Sequence, residues 1–106
     1  MKKIFSTDIF ISGKEGYFAT RIPALAKTNT GILLAFCEAR KFNFGDPGTP
    51  DNQIALVVKR SNYGRRTWSQ MRAVEEKQPY WSAANPAPVV NSNTGRLLVP
   101  CWKSEP

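Results

Sequence analysis

The chain has 106 residues, 42% of them hydrophobic and 22% charged, a balance that excludes a disordered polymer and suits one globular domain or a piece of a larger one. Fifteen Lys and Arg against eight Asp and Glu give a net charge of +7, which favours an anionic partner without naming it. Histidine is absent, so acid–base chemistry falls to carboxylates or tyrosine, and the commonest metal ligand is missing.

Read in chain order, short β-forming runs outnumber helix signals throughout. Residues 4–12 are a short run rich in apolar and β-forming residues and read as a first strand. Two lysines precede them, but Ser6, Thr7 and Asp8 break the apolar run, so a secretory signal is not expected. No stretch has the length and apolarity of a spanning helix. A cytoplasmic location is therefore the default expectation.

Residues 22–27 and 32–38 read as strands joined by Asn29-Thr30-Gly31, and residues 87–91 and 97–103 as strands joined by Asn93-Thr94-Gly95. In each turn the glycine supplies a residue tolerant of positive φ, so both pairs predict hairpins. Between them, residues 54–60 and 71–75 are further strand candidates. Residues 41–52 form a long loop with two glycines, two prolines and two aspartates, the kind of connection on which function tends to sit. Cys37 and Cys101 lie far apart with no zinc-type or redox spacing, and read as free thiols. Antiparallel strands joined by polar turns predict an all-β fold: a sandwich, a barrel or propeller blades.

Arg21-Ile22-Pro23, the hairpin with Gly31, Glu38-Ala39-Arg40, the run Leu56 to Ser61, and Asn85-Pro86-Ala87-Pro88-Val89 together resemble, in order and approximate spacing, the opening of a sialidase (exo-α-neuraminidase) catalytic domain. Ser61 to Trp68 is similar to the family's Asp-box, with Tyr63 where an aspartate and Arg65 where a glycine is usual. The resemblance implies an antiparallel, six-bladed β-propeller. Residues 1–106 would be its N-terminal part, about one and a half four-stranded blades.

The resemblance also implies roles. Sialidases hold the sugar's carboxylate with three arginines, because a guanidinium fork meets a carboxylate in two parallel charge-assisted hydrogen bonds. Arg21 matches the first of them. An aspartate on the loop after Glu38-Ala39-Arg40 would be the general acid–base. Asp46 fits by spacing, with Asp51 as the alternative. Arg40 is implied to lie at the substrate pocket, Glu38 to orient it, and Asn85 to stand beside the pocket. The family's tyrosine nucleophile, its glutamate and two further arginines match nothing in residues 1–106, so inactivity is expected of these residues alone. The implied substrate is a sialylated glycoconjugate, with no metal or organic cofactor and no nucleic acid.

Two other readings stay open. A propeller that binds sugars or proteins without catalysis would share the blades. A basic nucleic-acid-binding β module is permitted by Lys59, Arg60, Arg65, Arg66 and Arg72, which fall in a stretch without an acid.

Overall fold

A computed structural model describes residues 6–46, 51–61, 67–75, 82–84, 86–100 and 102–104. Among these residues the chain is all β, with mostly antiparallel pairing and no helix. Four consecutive strands make the main unit: β1 (Ala19–Lys27), β2 (Leu33–Arg40), β3 (Ile54–Ser61) and β4 (Arg72–Glu75). Each pairs antiparallel with the next. Such a four-stranded meander is the unit from which propeller blades are built. The short β5 (Ser82–Ala84) then meets β3 in parallel at Ile54↔Ser82 and pairs antiparallel with β8 (Trp102–Ser104). Between them β6 (Val89–Val90) and β7 (Leu97–Leu98) form a separate hairpin. The described strands make two open sheets, one of six strands and one of two, and not a closed barrel.

Both expected Asn-Thr-Gly turns close as hairpins. Gly31 (φ 88°) and Gly95 (φ 74°) adopt the left-handed backbone that their positions demand. Gly31 N–H donates to Thr28 O at 3.0 Å, and Gly95 N–H to Asn91 O at 2.7 Å. The two tips touch, since Asn29 Nδ2 donates to Ser92 O at 2.9 Å.

Alternation along β2 and β3 gives the sheet two different buried faces. On one, Phe36, Leu56, Ala26 and Ala83 form a cluster under Val90, Leu97 and Val99 of the β6–β7 hairpin and its exit. Full burial of side chains such as Phe36 and Leu56 stabilises the fold by about 1.5–3 kcal/mol each. On the other face Cys37, Ala39, Ala55 and Val57 lie under Phe10, Tyr17 and Met71.

The second face corrects the expectation of a strand over residues 4–12. Residues 6–12 have no strand pairing, and the segment from Ser6 to Phe18 instead lies as an irregular cover over β2 and β3. An ion pair holds it there. Lys59 Nζ, nearly buried on β3, donates to Glu15 Oε1 and, at 2.8 Å, to Ile9 O, and sits over the Phe10 ring. Glu15 Oε2 also accepts from Met71 N–H at 3.2 Å. Polar tethers have overridden the β-forming composition of the segment.

Three further differences are smaller. The expected strand over residues 97–103 is two pieces, Leu97–Leu98 and Trp102–Ser104, which pair with different partners. The expected strand over residues 87–91 shortens to Val89–Val90. The strand Ser82–Ala84 carries no sequence signal and is buried by its neighbours.

The hydrogen bond from Lys59 holds the Glu15 carboxyl below its ordinary range, whereas burial pushes the Cys37 thiol up to about 12. A carboxylate depressed in the folded state contributes stability that is full above its unfolded value and is lost as pH falls through the folded one. The cover is therefore expected to loosen below about pH 4 and to be firm at neutral pH. In a Cys101→Ser background, Glu15→Gln at pH 7 should raise the labelling rate of Cys37 by about fivefold, corresponding to about 1 kcal/mol of lost ion pairing. Labelling by a pyridyl disulfide, followed by absorbance, reads this. An unchanged rate would mean that the ion pair does not hold the cover.

Candidate active site

Arg21, Ile22 and Pro23 lie inside β1, which begins at Ala19, and not at a strand entry. The register with β2 runs evenly from Ala19↔Arg40 to Arg21↔Glu38, then shifts before resuming at Ala24↔Phe36. The shift is a bulge, and Pro23 occupies it on an edge strand, where a missing N–H interrupts no continuous ladder. Ile22 carries the turn of the backbone at φ 57°. A β-branched residue in the left-handed region is strained by about 1–3 kcal/mol, and such strain concentrates where a side chain must be aimed.

Ile22→Gly removes that strain and, although glycine adds unfolded-state entropy, is expected to raise stability by about 1 kcal/mol. A thermal melt of the variant beside the parent checks the sign. A lower melting temperature would show that the bulge is relaxed with isoleucine in place.

Arg21 is exposed, and it stands directly across from Glu38, which is 1% exposed. Glu38 and Arg40 are two apart on β2 and share a face, where they form a buried ion pair, Arg40 Nη2 to Glu38 Oε1 at 2.8 Å. Arg40 is itself only 2% exposed. Its Nη1 turns the other way and donates to Phe44 O at 2.8 Å, Gly45 O at 3.3 Å and Asp46 Oδ1 at 3.2 Å. One guanidinium thus joins the end of β2 to the loop that follows. Asp46 is held from one side by Arg40 and remains largely exposed on the other.

Asp51, the alternative acid, is exposed at the far end of the loop, where its backbone carbonyl accepts from Asn43 Nδ2 at 3.1 Å. Glu38, Arg40 and Asp46 are therefore joined by side-chain ion pairs, and Arg21 is the partner of Glu38 in backbone register. Asn85, Tyr63 and Arg65 lie outside the described residues. Ser61 Oγ donates to Thr67 O at 2.7 Å and Ser69 N–H to Arg60 O at 2.8 Å.

The cleft that Arg21 borders, about 310 Å³, is walled by residues 7–10, Pro23 and Cys37 on the opposite face of β2, and its lining does not include Glu38, Arg40 or Asp46. Among the described residues no group of three His, Cys, Asp or Glu is placed to hold a metal ion, and no helix is long and apolar enough to cross a membrane.

Sequence reasoning missed Asn52. It is fully buried, accepts at Oδ1 from Phe42 N–H (3.2 Å) and Gln53 N–H (2.9 Å), and donates from Nδ2 to Asn43 O (3.2 Å) and Gly45 O (2.8 Å). The available signal was slight, an asparagine between a loop and a strand.

Comparison with known proteins points to a family. The chain is 42% identical over 101 residues to an exo-alpha-sialidase of Arthroderma benhamiae, covering 89% of this chain and 23% of that protein. It is 33% identical over 94 residues to a sialidase of Micromonospora viridifaciens, covering 86% of this chain and 14% of that protein. It is 35% identical over 94 residues to an exo-alpha-sialidase of Aspergillus fumigatus, covering 82% of this chain and 22% of that protein. No family model matches the chain. The chain belongs to the sialidase family, as a segment that spans less than a quarter of the length of these relatives.

Proposed function

We propose that the chain is the segment of an exo-α-sialidase that supplies the first carboxylate-binding arginine and the general acid–base, and that the full-length protein hydrolyses terminal sialic acids from glycoconjugates. The observation that carries this reading is the pair of contacts by which Arg40 holds Glu38 and Asp46, on a strand where Glu38 is the register partner of Arg21. Arg21 offers its fork to the sugar carboxylate. Asp46 protonates the departing glycosidic oxygen and then takes a proton from the attacking water. Arg40 serves both the acid and the substrate's ring substituents, Glu38 orients Arg40, and Asn85 is assigned to the pocket by the family resemblance alone.

Residues 1–106 then make up one four-stranded blade and the start of a second, with the remaining blades bringing a tyrosine nucleophile, its glutamate and two more arginines. A neutral phenol suits a carboxylate-bearing anomeric centre, since it avoids the repulsion a second carboxylate would meet. Neither a metal nor an organic cofactor is needed for this chemistry. The test is incubation of the full-length protein with 3′-sialyllactose, with sialic acid release followed against the 106 residues alone. Release by the former and none by the latter is the expected result. Sialoside binding without release by the full-length protein would replace the enzyme with a sugar-binding propeller.

A further inference from the structure

We infer that Asn52, assisted by Asn43, is a positioning residue for the acid–base, because the two side chains clamp the peptide unit that carries Asp46. The inference rests on the assignment of Asp46 as that acid. The Gly45–Asp46 peptide presents its carbonyl to two donors, Asn52 Nδ2 at 2.8 Å and Arg40 Nη1 at 3.3 Å. One peptide unit earlier, Gly45 N–H donates to Asn43 Oδ1 at 2.6 Å. Both polar groups of Gly45 are thereby fixed, although glycine is the residue least able to fix its own backbone.

The clamp is anchored at depth. Asn52 is 0% exposed, and its carbonyl oxygen accepts from Phe42 and Gln53, so one amide ties the loop's entry, its turn and its exit together. Lys41 N–H donates to Gln53 O at 2.9 Å and closes the loop base beside it. All four hydrogen-bonding positions of an asparagine side chain are used, which no other residue type of this size reproduces. Aspartate has nearly the same shape but lacks both donors, and would set carboxylate oxygens against the carbonyls of Asn43 and Gly45. The Gly45 carbonyl would then keep Arg40 as its donor, without the Asn52 amide.

A general acid is most needed where the leaving oxygen is basic, so misplacement of Asp46 is read as a change in leaving-group dependence. In the full-length protein, Asn52→Asp is expected to lower kcat/KM for an alkyl sialoside such as 3′-sialyllactose by about 30- to 100-fold, and for an aryl sialoside with a good leaving group by less than about threefold. A merely structural role would reduce both alike, through the fraction of folded protein. Asn43→Ala, a change at a less buried position, should show the same selectivity at about 5- to 10-fold, and it decides the matter if Asn52→Asp does not fold. Equal losses on the two substrates, or no loss on either, in the variant that folds would overturn the inference. Absence of hydrolysis of both substrates by the parent protein would instead overturn the sialidase reading beneath it.

Discussion

Asp46→Ala in the full-length protein is expected to lower turnover of 3′-sialyllactose by about 10²–10⁴-fold while sparing an aryl sialoside to within about tenfold. The lost group donates a proton to a basic alkoxide in the first case, and in the second the phenol departs largely unaided. Asp51→Ala should leave both rates within about twofold, since its side chain is exposed at the far end of the loop and its loop contact is made through the backbone carbonyl. Initial rates on the two substrates distinguish the pair. If Asp51→Ala shows the leaving-group signature and Asp46→Ala does not, the assignment of the acid is reversed.

Arg21→Ala should cost about 2–5 kcal/mol of transition-state stabilisation, or about 30- to 5,000-fold in kcat/KM, on both substrates alike. The carboxylate is present whatever the leaving group, so the loss has no leaving-group dependence. Arg21→Lys should recover only part of it, because an ammonium is a point charge and cannot reproduce a two-bond fork. Full activity of the alanine variant would remove Arg21 from the site.

The strands that carry these residues were legible because their signals are local. β1, β2 and β3 are apolar runs bounded by turns, and Gly31 and Gly95 mark backbone that other residues rarely adopt. The sharing of one face by Glu38 and Arg40 follows from period-two geometry alone. What stayed hidden depends on contacts across the fold. Ser82-Ala83-Ala84 has no apolar bulk, and becomes a strand through the β3 and β8 edges beside it. Residues 6–12 hold β-forming residues yet serve as a cover, because Lys59, about fifty positions later, captures Glu15 and the Ile9 carbonyl.

The candidate site divides in the same way. Arg21, Arg40 and Asp46 announce themselves through a motif and its spacing, whereas the left-handed Ile22 and the fourfold-bonded Asn52 become visible only in the folded chain. An asparagine in a loop is ordinarily a turn former. Its burial is what makes it a keystone here.

The central claim is that Arg21 and Asp46 serve one sugar. A crystal structure of the full-length protein with a 2,3-unsaturated sialic acid analogue, which stands in for the flattened ring of the transition state, tests it most directly. The predicted result places the ligand carboxylate within about 3 Å of the Arg21 guanidinium, with the Asp46 carboxyl next to the position of the glycosidic oxygen. A ligand bound with its carboxylate on other residues, and with Arg21 or Asp46 left in solvent, would contradict it.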